Sequence, residues 1–289
     1  TCGLMWKGIN VNNNNSANAT YLTMQKSSGK GGPRTRVENA IKGVYADESN
    51  SLIKIITTCD FIDNEKSVVI LNGNPNNEFY NCSYKMLNPL LDQTYGSSNG
   101  YGSLKYGITG IEAQLAGGVA QTIGSGAFGG NLFEGGQLGI DAFANSINAE
   151  FNTFQNIKGT GIRSNANFAN GIKIVSRYNT FNTNFYDIDC FFGNDLTVQN
   201  CNLNNCSGNS INWNYNYDKT LIVGGDKSPS GNGSISDANL FNGCNWSAVY
   251  CLDNEAANTN IQINYNTIQN APWAYGVFLN QTYLTSANQ

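Results

Sequence analysis

Three ionisable residues share one local setting: Asp141 follows Gly-Ile, Arg163 follows Gly-Ile, and Asp189 follows Asp-Ile. If the three isoleucines point inward on successive strands, the three ionisable side chains stand outward in one column. Two carboxylates separated by two strand spacings lie roughly 9–10 Å apart, near the upper limit for the acid and base of an inverting glycosidase. The other reading is a surface Asp-Arg-Asp ladder, which by itself contributes little. A general acid needs a raised pKa, from burial or a like charge. An arginine between the two carboxylates favours the ionised form of both, so neither is expected to serve readily as an acid at neutral pH. One of them still suits a base. The chain contains no histidine, which excludes the Ser-His-Asp triad and every His-ligated zinc centre.

Other reactive types are sparse or lack the required context. The eight cysteines, Cys2, Cys59, Cys82, Cys190, Cys201, Cys206, Cys244 and Cys251, include no Cys-x-x-Cys pair, so structural zinc and thioredoxin-like chemistry lack their spacing. An even number suits disulfides in a secreted chain, and buried reduced thiols are an equally simple reading. Asp60 and Asp63 are calcium-ligand types, but their expected faces oppose each other within one strand. No cofactor or metal is therefore assigned. The Gly-rich run 124–130 leads into Asn131-Leu132-Phe133, a strand element and not the helix a phosphate loop requires. The basic cluster Arg34-Thr-Arg36 is short, and Asn18-Ala-Thr and Asn245-Trp-Ser are glycosylation sequons only in a eukaryotic secretory route. The threonines Thr153, Thr180 and Thr267 are interrupted by Asn202 and Asn239, which is too broken an array for an ice-binding face.

The surrounding composition constrains the scaffold. Of 289 residues only 12% are charged, against roughly 25% in ordinary domains. Asparagine fills the difference with 48 positions, beside 32 glycines. Hydrophobic residues still form 40% and net charge is −4, so a core is affordable and charge-driven disorder is excluded. A sequence pI of about 4.8 leaves no basic footprint for nucleic acid. Apolar runs stay far below the length of a membrane span. The N-terminal Thr-Cys-Gly-Leu-Met-Trp is not a signal peptide, and the chain reads as a mature protein or a piece of a longer one.

Internal repeats supply the elements that position the ionisable column. Segments beginning at Ile147, Ile174, Leu196, Ile235 and Ile261 each carry an alternating strand, an Asn-x-Phe-x-Asn-like element and a second strand. The central apolar residues are Phe61, Tyr84, Phe133, Phe154, Phe181, Leu203, Leu240 and Ile268, mostly about 21–28 residues apart, a period that suits a solenoid coil. Two longer steps place inserted loops near 88–106 and 214–233. One Asn column reads Asn131, Asn152, Asn179 and Asn266, with Cys59, Cys82, Cys201 and Ala238 at other levels. A second reads Asp63, Asn156, Asn205, Asn242 and Asn270, with Thr183. Both are expected to be inward Asn ladders that satisfy the backbone. Cys59 and Cys82 are expected on adjacent coils, as a disulfide or as packed thiols, and Cys206 with Cys244 form another such pair. The outward column continues as Glu112, Asp141, Arg163, Asp189, Asn212, Tyr250 and Phe278.

This pattern resembles the right-handed parallel β-helix proteins of the pectin-lyase-like superfamily. More closely, it resembles the Asn-rich surface β-helices exported by type IX secretion. The resemblance spans about residues 35–285 and implies an all-β fold: a single right-handed parallel β-helix of about eight or nine coils over residues 1–289, secreted or at the cell surface. The family's catalytic marks, a paired Asp-Asp, Gly-His-Gly, Arg-x-Lys and Trp-Ile-Asp-His, are missing. The expected function is accordingly a non-catalytic, structural or adhesin-like module that presents a surface to glycans or partner proteins. A polysaccharide hydrolase or lyase using Asp141, Asp189 and Arg163 in an outer groove is the competing expectation. A filament building block is the third, because solenoid ends expose strand edges that can pair; both ends resemble second-strand elements without an obvious cap, which favours continuation into neighbouring material or a fragment of a longer polypeptide.

Overall fold

Short alternating segments separated by Asn and Gly cannot bury a helical stripe, and they fold as strands that must find partners on neighbouring repeats. A computed structural model shows this outcome: an all-β chain of long parallel sheets. It describes residues 4–11, 20–26, 33–46, 51–71, 77–98, 104–169, 171–225, 237–254, 256, 258–271 and 275–282. Cys2, Asn18, residues 99–103 of the expected first loop, residues 226–233 of the expected second loop and Ile235 lie outside the described residues. Among the described residues no helix is long and apolar enough to cross a membrane.

The chain visits three strips of parallel strands in turn, as in a β-solenoid. The first strip is a nine-stranded sheet running from Thr35–Glu38 and Cys59–Ile62, through Thr153–Gln155 and Thr180–Asn182, to Thr267–Gln269. The second includes Lys66–Ile70, Thr160–Asn165, Tyr186–Phe191, Ile211–Asn214, Ser247–Asn254 and Tyr275–Thr282. The third includes Lys173–Arg177, Asp195–Gln199, Thr220–Gly224 and Asn260–Asn264. The long strands Thr109–Ile123 and Leu138–Glu150 run through both the second and the third, which joins these two strips into one 17-stranded sheet.

Parallel pairing stacks like residues on like, and the core follows from that rule. On the first strip Phe61, Tyr84, Phe133, Phe154 and Phe181 form a stack with ring centroids 4.7–5.1 Å apart and nearly parallel planes. All are fully buried, and each stacked pair contributes roughly 0.5–1.5 kcal/mol beyond the area it buries. Opposite the stack, Gly110, Gly139 and Gly161 pass so close that a Cβ would meet Phe133, Phe154 and Phe181 at 2.7, 2.8 and 3.0 Å. Where Leu203 replaces phenylalanine, the corresponding position carries Asp187 instead of glycine.

The stack continues through Phe241, which pairs with Leu203, and not through Leu240 as the sequence suggests. Both residues are apolar, so period-two alternation does not choose between them, and a one-residue slip exchanges the faces. The correction moves Asn239 into the first Asn column in place of Ala238. That column is a ladder: Asn131 Nδ2 donates to Asn152 Oδ1 at 2.9 Å, and Asn239 Nδ2 donates to Asn266 Oδ1 at 2.9 Å. The second expected column is different. Asp63, Asn156, Thr183, Asn205 and Asn270 occupy a corner with φ of 48–57°, where Gly243 stands in the position expected for Asn242. Asn156, Asn205 and Asn270 are exposed, because this corner selects residues that tolerate left-handed backbone and not inward donors.

Within the loop expected at 88–106, the described residues include an antiparallel pair, Ser97–Ser98 with Lys105–Tyr106, that stands apart from the parallel sheets. The one expected at 214–233 begins too early. Thr220–Gly224 is a regular strand of the third strip, paired with Asp195–Gln199, with Leu221 and Val223 fully buried. Cys59 and Cys82 stand on adjacent levels as buried free thiols, and so do Cys206 and Cys244, which pairs the cysteines as expected but without a bridge.

Candidate functional site

The outward side of the second strip is the functional candidate, and its register matches the sequence reading residue by residue. Glu112 pairs with Asp141, Asp141 with Arg163, Arg163 with Asp189, Asp189 with Asn212, Asn212 with Tyr250, and Tyr250 with Phe278. The inward neighbours Ile111, Ile140, Ile162, Ile188, Ile211 and Val249 are fully buried and hold the alternation in place. At the end of the strip Val277 is partly uncovered.

The electrostatics depart from expectation at Asp189. Arg163 is committed to Asp141 through two hydrogen bonds, Nε to Oδ1 at 2.9 Å and Nη2 to Oδ2 at 2.7 Å. This bidentate fork leaves Asp189 without a direct ion pair. Burial pushes the Asp189 carboxyl up to about 6, although the Arg163 charge and the Asn212 amide both favour its ionised form. The expected symmetrical effect of Arg163 on both carboxylates is therefore corrected. Asp189 can hold a proton near neutral pH, while Asp141 is paired. At the start of the column Lys66 Nζ meets Glu112 Oε2 at 2.6 Å, so that carboxylate is neutralised as well.

Two hollows open on this face. One, of about 420 Å³, is lined by Gln114, Asp141, Phe143, Arg163, Asn165 and Phe191. The other, of about 480 Å³, has Tyr186, Asn212, Trp246, Tyr250, Tyr275 and Phe278 in its wall. Its Tyr250 and Phe278 rings stack 5.0 Å apart with planes 3° from parallel. Trp246 and Tyr275 are more than half exposed. Sequence reasoning found Tyr250 and Phe278 through the column. It missed Trp246 and Tyr275, which enter from strand starts, where alternation gives no signal.

Asn212 links the two regions. Its Oδ1 accepts from Asn209 Nδ2 at 2.7 Å, and its side chain favours the ionised forms of both Asp189 and Tyr186. Behind this face Asp187 is completely buried, and its carboxyl is pushed up to about 7 by burial despite the Asn184 amide and the Ser210 hydroxyl.

The remaining sequence candidates have structural partners. Asp60 receives Arg34 Nε at 2.6 Å and Ser83 Oγ at 2.6 Å. Asp63 receives the backbone N–H groups of Leu87 and Asn88, both at 2.9 Å. Among the described residues no group of three His, Cys, Asp or Glu is placed to hold a metal ion. The Gly-rich run closes a small antiparallel bridge, Ser125 to Gly129, before the strand Leu132–Gly135. Comparison with known protein families, curated proteins and solved structures finds no match for this chain.

Proposed function

We propose that the chain is a right-handed parallel β-helix of about eight or nine coils, similar to the pectin-lyase-like superfamily, and that it works outside the cell as a glycan-binding module. The carrying observation is the outward column on the second strip. It grades from paired charges at Glu112, Asp141 and Arg163, through the amide of Asn212, to the rings of Tyr250 and Phe278. Polar groups that share hydrogen bonds with hydroxyls, next to aromatic faces that cover C–H surfaces, suit an extended sugar chain laid across the strands. A rigid scaffold whose core is locked by stacked rings and Asn ladders presents such a face without a cost of ordering it. The test is affinity electrophoresis and calorimetry against a panel of polysaccharides, with Tyr250→Ala as the control variant. Retarded migration that the variant loses supports the reading, and absence of retardation on every glycan removes it.

A second reading, a polysaccharide hydrolase, is favoured by one observation: two carboxyls flanking Arg163 have separated environments, Asp141 paired and Asp189 pushed up to about 6. Such divergence is how acid and base roles are divided. The lack of the family's catalytic marks weighs for the non-catalytic reading. The expected outcome is no turnover of pectic, alginate-like or neutral glycans, with or without calcium. Turnover that disappears in the Asp141→Asn/Asp189→Asn double variant would establish the hydrolase instead.

A further inference from the structure

The glycan reading leaves open what kind of sugar the face takes, and the hollow beside Trp246 bears on that question. Asn209 lies in its lining, is 5% exposed, and its Oδ1 has no hydrogen-bond partner. A buried amide oxygen without a donor costs roughly 1–3 kcal/mol. Its own Nδ2 is used on Asn212 Oδ1 at 2.7 Å, which fixes the amide with the oxygen as the open group. Asn212 Oδ1 is occupied by that bond, and no donor among the described residues reaches Asn209 Oδ1. A ligand that completes this site must bring a donor to Asn209 Oδ1.

The walls limit what carries that donor. Among the described residues no Lys, Arg, Asp or Glu lines the hollow, so neither a carboxylate nor an ammonium finds a counter-charge in that lining. The nearest cation of the column, Arg163, is held by Asp141 at 2.7 Å. Trp246 and Tyr275 stand exposed, while Tyr250 and Phe278 stack face to face beside them, 5.0 Å apart with planes 3° from parallel. At about 480 Å³ the space falls within the roughly 300–1,000 Å³ of small-ligand sites. An uncharged ring with one apolar face and hydroxyl donors on its rim matches both features.

We infer that the hollow bounded by Asn209, Trp246, Tyr250 and Phe278 is a subsite for a neutral pyranose, and that the protein selects neutral glycans over uronate polymers. The inference rests on the glycan reading and adds the substrate class and its location. A sugar hydroxyl donates to Asn209 Oδ1, and the ring's C–H face packs on the aromatic wall.

The test is titration calorimetry of the full chain with neutral gluco-, xylo- and manno-oligosaccharides and with oligogalacturonate. Parent, Trp246→Ala and Asn209→Leu are compared, with circular dichroism to verify folding. Trp246 is on the surface, so its variant keeps the test valid if Asn209→Leu does not fold. The expected result is binding of a neutral oligosaccharide that weakens about tenfold or more in Trp246→Ala, near 1.4 kcal/mol, and little binding of oligogalacturonate. Neutral-glycan binding that neither variant alters overturns the subsite and leaves the glycan reading standing. Preference for oligogalacturonate overturns the substrate class. Failure of every glycan to bind overturns both readings. Self-association of the parent that Trp246→Ala abolishes, seen by sedimentation, assigns the patch to an interface between copies and overturns the subsite.

Discussion

Asn152 donates twice to Oδ1 of Asn179, from its backbone N–H at 2.8 Å and from its side-chain amide at 3.1 Å. The same amide also donates to the Ile123 carbonyl at 2.7 Å, and Asn152 Oδ1 accepts from both nitrogens of Asn131 at 2.9 Å. One side chain thus completes groups on three levels of the first corner. Asn152→Ala removes it from a site that is 1% exposed, and leaves the Asn131 backbone N–H, one hydrogen of the Asn131 amide and the Ile123 carbonyl without these partners. At roughly 1–3 kcal/mol for each orphaned buried group, a loss of about 3 kcal/mol or more is expected. Urea unfolding checks this, with Asn156→Ala as the comparison: Asn156 lies on an exposed corner, and its loss is expected to cost far less.

Asp187 makes stability depend on pH in an unusual direction. Its folded-state pKa of about 7 lies above the ordinary value of 3.8, because burial penalises the charged form. Folding therefore binds the proton more tightly than the unfolded chain does. The contribution of the protonated group is intact below pH 3.8, declines as pH rises, and is gone once pH passes about 7. The interval corresponds to on the order of 4 kcal/mol. Asp187→Asn keeps an acceptor for Asn184 and cannot ionise. Its Tm is expected to exceed the parent's at pH 8 and to converge on it near pH 4. Equal Tm differences at both pH values would contradict the buried, protonated carboxyl.

The sequence showed the second strip clearly because Ile111, Ile140, Ile162, Ile188 and Ile211 alternate with polar or charged neighbours, and that contrast determines which side is in. Contrast is lost at Leu240-Phe241, where two apolar residues adjoin and the sequence leaves the register open by one residue. A pair of truncations distinguishes the registers. Phe241→Ala is expected to cost about 3–5 kcal/mol as a core cavity, and Leu240→Ala much less, since only Phe241 is fully buried. The asparagines were harder still. Inward ladders and left-handed corners both select Asn, for hydrogen bonding in one case and for backbone tolerance in the other. Composition does not separate these causes, so the sequence alone makes Asn156 and Asn205 look like Asn152 and Asn179. The pairing of Arg163 with Asp141 alone was not legible either, because spacing along the column makes the two aspartates equivalent neighbours of the arginine.

The cysteines give a chemical check on the whole register. Seven described cysteines are free and buried. Burial pushes the Cys201 thiol up to about 11 and the Cys251 thiol up to about 12, far from the thiolate that attacks a disulfide reagent. These two cysteines are expected to be silent toward such a reagent in the native protein and to react once it is unfolded. Reducing agents are expected to leave Tm unchanged. A fall in Tm on reduction would show that bridges stabilise the native chain.

Asp189 tests the electrostatics of the outward face directly. Its carboxyl is raised to about 6 by burial, while Arg163 and the Asn212 amide act in the opposite sense. Removing either of them must raise it further. In Arg163→Gln the nearest positive charge is lost, and the Asp189 titration is expected to move above its parent value. In Asn212→Leu the loss of a donor to the carboxylate is expected to do the same. Carboxyl carbon NMR through a pH titration follows the group in each variant. If neutral ligand occupies the neighbouring hollow and displaces water there, saturating ligand should also raise the titration, because further desolvation disfavours the charged carboxylate. A downward movement in Arg163→Gln would mean that the arginine does not act on Asp189 as its position in the column implies.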